Sequence, residues 1–291
     1  MTVTAAGLEA DADLNAASDL GDQIAGLYHR LLGLPDLAPA PAVDALFREL
    51  VRLCTVTDDS VAARVLAEPA IRRLRGDLIR LCGRGESLLE QLWAQRVLAA
   101  ADPAAELGRF PYLGNYRQLS LLETHALAGS GHVPRNGGRL CFLGGGPLPL
   151  SALLLHRYLG GAVEIVDVDP LAAGLARRVV GRLSDSAALR VTEADAASGA
   201  EMSRLLPGYD VVVVAALVGT TPSEKRAMLR AVGAAMDPGA FLLVRSASGL
   251  RTLLYAVVEP ADVAAEAGCV PQLLVHPLGE VVNSVLVARR R

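Results

Sequence analysis

Two rhythms of apolar residues divide this chain. From Asp19 to about Ala128, apolar positions recur every three or four residues in "LGDQIAGLYHRLLGL", "PAVDALFRELVRLC", "IRRLRGDLIRLC" and "ESLLEQLWAQRVLAA". That is the period of amphipathic helices. The first segment ends near Pro35, Pro41 suits the first turn of the next, and Asp58-Asp59-Ser60 suits a helix cap. A loop containing "GRFPYLGNY" interrupts the series, and "RQLSLLETHALAG" resumes it. This half predicts a helical bundle.

Past "GSGHVPRNGG" the rhythm changes. Short β-rich runs ("RLCFLG", "AVEIVDV", "LRVTEAD", "GYDVVVVAAL", "AFLLVRS") alternate with helical ones ("PLSALLLHRYL", "PLAAGLARRVVGRL", "SEKRAMLRAVGAAM"). Such alternation predicts a parallel sheet with helices on both faces. The tail "CVPQLLVHPLGEVVNSVLVARR" reads as two strands joined near Pro277 to Glu280, an antiparallel pair that completes the sheet. The expected division is 1–134 for the helical domain and 135–291 for the α/β domain.

Composition narrows the partners. The 291 residues are 52% apolar, which suits a buried core, and no apolar run approaches the length of a bilayer span. The N-terminal "MTVTAAGLEADADLN" is acidic and does not read as a secretory signal, so a cytoplasmic location is expected. A net charge of −3 without a dense basic run argues against nucleic acid. Lys225 is the only lysine, which reads as coding bias. Cys54, Cys82, Cys141 and Cys269 lie far apart with no CxxC, so free thiols are expected and no metal site. His156 reads as structural.

The chemistry concentrates at "RLCFLGGGPLPL". A glycine turn at the end of the first strand is where open α/β sheets bind ligands. No Gly-Lys-Ser/Thr follows, and GxGxxG fails. Pro147 and Pro149 remove amide donors that a pyrophosphate would need. A nucleoside-like cofactor without phosphate fits better: S-adenosylmethionine. On this reading Gly144, Gly145, Gly146 and Pro147 form the turn. Asp167 or Asp169 in "DVDP" takes the ribose hydroxyls, Asp167 being the better placed and the other a helix cap. Asp195 meets the adenine amino group, and Ala215, Ala216 and Leu217 form a platform beside it.

These stretches resemble the nicotianamine synthase family. "GGGPLPL", "DVDP", "GYDVVVVAALVG", "DPGAFLLVRSASGLRTLLY" and "GEVVNSVLVAR" match family stretches in order, as do "ESLLE" and "FPYLGNY". The resemblance implies an α/β, Rossmann-like class I SAM-dependent methyltransferase fold, with a mostly parallel sheet and an antiparallel last strand. An N-terminal α-helical bundle precedes it and caps the active site. It implies transfer of the 3-amino-3-carboxypropyl group of S-adenosylmethionine to an amine or amino-acid acceptor, with release of methylthioadenosine and no metal required. Plant members repeat the transfer and close an azetidine ring. Bacterial relatives make one transfer, often onto histidine, toward opine-type metallophores, and this chain's length and composition are closer to theirs.

By the same resemblance Glu86 accepts a proton from the substrate amine and Tyr112 hydrogen-bonds that amine. Glu90 shares the helix face of Glu86, with an ordinary exposed helix charge as its alternative reading. Tyr116 joins the substrate-binding set, with packing or turn formation as its alternative, as for Asn115. Arg245 forks onto a substrate carboxylate or, equally, forms an inter-domain ion pair. Ser248 replaces the histidine of the family's "RSAHG" and bears on acceptor identity or the number of transfers. Trp93 reads as core, and Asn283 and Ser284 as strand pairing. Cyclisation of S-adenosylmethionine to azetidine-2-carboxylate, methyl transfer and noncatalytic cofactor binding stand as rivals, and a homodimer is left open.

Overall fold

The computed structural model describes residues 5–56, 58–133, 138–184 and 187–291, with side chains from Ala17 onward. Met1 to Thr4 of the N-terminal stretch read against a secretory signal, and the expected division near residue 135, lie outside the described residues.

The first half is helical: α1 (Ala5–Leu32), α2 (Pro41–Cys54), α3 (Asp59–Ala67), α4 (Pro69–Ala99), α5 (Pro103–Leu107) and α6 (Leu113–Gly129). Pro41 opens α2, and the Asp58 carboxylate caps α3 by accepting from the amides of Ser60 and Val61. The sequence reading separates "IRRLRGDLIRLC" from "ESLLEQLWAQRVLAA", but α4 runs unbroken through both. Gly83 and Gly85 between them serve close packing. A Cβ at Gly85 would collide with the Phe47 ring, and one at Gly83 would lie 3.3 Å from Leu217. The "GRFPYLGNY" loop is also shorter than expected, since α6 already includes "LGNY".

The second half alternates as expected: β1 (Arg139–Leu143), α7 (Leu150–Leu159), β2 (Ala162–Asp167), α8 (Pro170–Leu183), β3 (Leu189–Glu193), α9 (Gly199–Leu205), β4 (Val211–Val214), α10 (Pro222–Ala235), β5 (Phe241–Ser246), α11 (Pro260–Glu266), β6 (Cys269–Val275) and β7 (Ser284–Arg290). A 3-10 helix spans Gly249–Leu253. The strand order is β3-β2-β1-β4-β5-β7-β6; β7 alone runs antiparallel to its neighbours, between β5 and β6.

Strand periodicity divides the core. Cys141, Leu143, Val212, Val214, Leu242 and Val244 face α9, α10 and α11. Leu140, Phe142, Val211, Val213, Phe241 and Leu243 face α6 and α7. A strand buried on both sides has no polar face, which is why "VVVV" suits β4. The helical half is not packed on itself alone, because Leu250, Leu253 and Leu254 from the 3-10 segment join its core. Among the described residues, no helix is long and apolar enough to cross a membrane.

Candidate active site

The loops leaving β1, β2 and β4 at their C-terminal ends meet α4 across a cavity of about 1090 Å³. Gly144–Pro147, Asp167, Asp169, Asp195 and Ala215–Leu217 all line it, as do Glu86, Glu90, Tyr116 and Arg245. Tyr112 and Ser248 do not. Most of the expected set is thus brought together from two halves of the chain.

The glycine turn explains its own composition. Gly144 and Gly146 have φ of 84° and 64°, open to glycine at little cost. A Cβ at Gly145 would run into Ile165, and one at Gly146 into Oε2 of Glu90. The amides of Gly144 and Gly145 both donate to the Val166 carbonyl, at 2.8 and 2.9 Å. Gly146 N donates to Oδ2 of Asp167 at 2.7 Å. All three glycine amides are therefore committed, and Pro147 has none. The turn offers a phosphate nothing, and a cofactor without phosphate loses nothing by it. The donor set fits S-adenosylmethionine.

The two aspartates of "DVDP" separate as the spacing suggests. Asp169 caps α8 by accepting from Leu171 N. Asp167 stands at the end of β2, lines the cavity and also accepts from Asp169 N. Asp195 is exposed at the cavity wall, its carboxylate accepting from Ala197 N. Beneath the platform, Lys225 is buried, and its Nζ donates to the Ala216 carbonyl at 2.8 Å. Burial pushes its amine down to about 7.

Helical spacing puts Glu86 and Glu90 one turn apart on α4, both facing the cavity. Tyr255 donates to Oε2 of Glu86 at 2.9 Å, and Tyr116 donates to Oε1 of Glu90 at 2.6 Å. Burial raises the Glu86 carboxyl above the ordinary range, against the hydrogen bond from Tyr255 and the charge of Arg245. Glu90 is raised further, by burial and then by the neighbouring Glu86. Two carboxyls in one desolvated site resist ionising together.

The phenol of Tyr112, the expected partner of Glu86, is raised by burial and, more weakly, by the charges of Asp44 and Glu86. Tyr112 is the N-cap of α6, outside the cavity lining, with its ring edge-on to Phe110 at 5.9 Å. Tyr116 lies one helical turn further and reaches the acids. Tyr255, which the sequence reading did not single out, is the phenol on Glu86. Its signal was only its place in "RTLLY", past the fifth strand.

Arg245 lines the cavity and also makes an ion pair across the two halves of the chain. Its Nε and Nη2 donate to the two oxygens of Glu123 at 2.7 and 3.1 Å, and Nη2 also to Ser151 Oγ at 2.7 Å. The ion-pair alternative is present, made by Nε and Nη2. Ser248 precedes the 3-10 helix as its N-cap without a side-chain capping bond. Asn115 donates to the Glu280 carbonyl at 2.8 Å, and Trp93 is core. Among the described residues, no group of three or more His, Cys, Asp or Glu is placed to hold a metal ion.

A sheet with only β7 reversed, whose glycine turn keeps its amides for itself, defines a transferase of the class I S-adenosylmethionine-dependent fold. A profile of the nicotianamine synthase protein family matches residues 14–291. Nicotianamine synthase 1 of Hordeum vulgare is 39% identical over 283 residues, 96% of this chain and 84% of the relative. Nicotianamine synthase 3 of Oryza sativa subsp. indica is 41% identical over 294 residues, 99% of this chain and 83% of the relative. The crystal structure of MtNAS in complex with MTA and tNA superposes with a TM-score of 0.77 at 25% identity, covering 95% of this chain and 97% of that one. A variant of MtNAS in complex with S-adenosylmethionine gives 0.75 at 28% identity, covering 93% and 97%. The chain belongs to the nicotianamine synthase family and is an S-adenosylmethionine-dependent aminocarboxypropyltransferase.

Proposed function

We propose that the chain transfers one aminocarboxypropyl group onto the amine of an amino acid, building an opine-type metallophore or its precursor. The observation that carries this reading is the Glu86–Glu90 pair, which faces the glycine turn with only phenols bound to it. When bound, the sulfonium supplies an activated carbon. Displacement there requires an in-line lone pair at near-contact distance.

Glu86 takes the proton of the acceptor amine, so that the amine attacks as a neutral nucleophile. A C–N bond forms, the C–S bond breaks, and sulfur keeps the electron pair as methylthioadenosine leaves. The raised carboxyl of Glu86 suits a group that must take and release a proton near neutral pH. Glu90, raised further by burial and by Glu86, resists carrying a second charge beside it. Asp167 holds the ribose hydroxyls, Asp195 the adenine amino group, and Ala215–Leu217 flank the ring. The helical half, 1–134, caps the 135–291 half and turns the amino-acid arm inward. The reaction draws on no metal, because the sulfonium is itself the activating charge, and the enzyme works in the cytoplasm.

The test is to incubate purified protein with S-adenosylmethionine and candidate amino acids, and to identify the nucleoside released. Methylthioadenosine that appears only with an added acceptor, together with a product carrying one transferred group, supports the reading. S-adenosylhomocysteine overturns it in favour of methyl transfer. Methylthioadenosine formed without any acceptor overturns it in favour of azetidine-2-carboxylate.

A further inference from the structure

Asn283 is 8% exposed, lines the cavity, and its Nδ2 has no hydrogen-bond partner. A buried amide donor left unpaired is costly, on the order of 1–3 kcal/mol, so its persistence at a cavity wall calls for a ligand. The fold explains why it stands there. Parallel strands deliver their C-terminal ends to the ligand edge, but β7 is reversed, and Ser284 at its start pairs with Ser246 at the end of β5. The residue just before β7 is therefore delivered to the same edge as the glycine turn.

The segment around Asn283 is pinned. Asn115 donates to the Glu280 carbonyl at 2.8 Å, Arg251 to the Gly279 carbonyl at 2.9 Å, and His276 Nδ1 meets Ser284 Oγ at 2.8 Å. Asn283 is thus held in place with its side-chain amide donor unused. Arg245, which also lines the cavity, is committed to Glu123 and Ser151 through Nε and Nη2.

We propose that Asn283 is a substrate-positioning residue whose side-chain amide donates to a carboxylate oxygen of an amino-acid group bound in the cleft. Glu86 on the same cavity, once ionised, repels a carboxylate, so a neutral donor supplied by the segment before β7 decides which end of an amino acid faces the acids and which faces the sheet edge. Two carboxylates could supply that oxygen: that of the methionine arm of S-adenosylmethionine, or that of the acceptor. The inference rests on the aminocarboxypropyl-transfer reading, and its test is by binding, so the two can fail separately.

The experiment compares wild type with Asn283→Asp, which keeps the shape but replaces the N–H donor by an acceptor, and with Asn283→Ala. Calorimetry measures S-adenosylmethionine and methylthioadenosine, which lacks the arm and its carboxylate. Kinetics then measures the acceptor KM. If the donor's carboxylate is held, S-adenosylmethionine affinity falls roughly ten- to a hundredfold while methylthioadenosine affinity is unchanged. If the acceptor's is held, both affinities persist and acceptor KM rises by a similar factor. The proposal is overturned if all three constants stay at wild-type values in both variants. It is overturned also if methylthioadenosine weakens in step with S-adenosylmethionine, or if Asn283→Asp binds S-adenosylmethionine more tightly. A wild-type enzyme that makes S-adenosylhomocysteine would instead defeat the transfer reading, with the binding arms still interpretable.

Discussion

Two regions beside the same cavity take acidic side chains out of water, one wholly and one in part, and they treat the charge differently. At the sheet, Glu123 of α6 meets the Arg245 guanidinium through two bonds, with Ser151 as a further acceptor. On α4, Glu86 and Glu90 meet only phenols and each other. The first arrangement is closed: removing either partner leaves a buried charge uncompensated. The second is open, because the guanidinium of Arg245 is already committed to Glu123 and the acids retain the capacity to exchange a proton. Burial alone does not make a reactive carboxyl. Burial without a dedicated cation does.

The largest expected effect breaks the closed region. Glu123→Gln leaves Arg245 without its counter-charge and should cost about 3–5 kcal/mol, read from urea unfolding. In the open region Glu86→Gln should leave the unfolding midpoint and S-adenosylmethionine affinity near wild type. Methylthioadenosine formation should drop by roughly a hundredfold or more, the scale of losing a general base. Equal turnover in that variant would remove Glu86 from the mechanism and erase the contrast.

A smaller effect concerns pH and stability. Glu90 has a native pKa raised above its unfolded value, so the folded state binds more protons above the ordinary carboxylate range. Its contribution is full below that range and is lost as pH rises through the raised value. Glu90→Gln should therefore flatten the fall in the melting midpoint between pH 5 and pH 8. The gain at pH 8 should be roughly 2–4 °C for each kcal/mol recovered. No gain at pH 8 would mean that Glu90 is not strained by its surroundings. The mildest change is Tyr255→Phe. It removes a hydrogen bond that lowers the Glu86 pKa, so the acidic limb of the pH–rate profile should move to higher pH. A shift to lower pH would contradict the assigned contact.

The outline of the fold was legible because it depends on local pattern. Alternating runs gave the strands, and Pro41 and Asp58 marked helix starts where the structure has them. Helical period also placed Glu86 and Glu90 on one face. Which phenol meets which acid was not legible. The same spacing of 26 residues separates Glu86 from Tyr112 and Glu90 from Tyr116, and only the packing of α6 against its neighbours chooses between them. Tyr255 comes from beyond β5, after a 3-10 turn whose leucines bury among the helices, so no local pattern aims it at α4. Gly83 and Gly85 suggested a break in α4 for a similar reason, since their contacts with Leu217 and Phe47 are made by distant segments.

Lys225 carries a consequence for anyone handling this protein. It is the only lysine in the chain, it is 2% exposed, and its amine is tied to the Ala216 carbonyl. Acylating reagents and amine-directed cross-linkers should leave the native surface almost untouched apart from any α-amino group. A single ε-amine becoming reactive would then report that α10 has parted from the ligand platform, which gives the molecule its own built-in gauge of local opening.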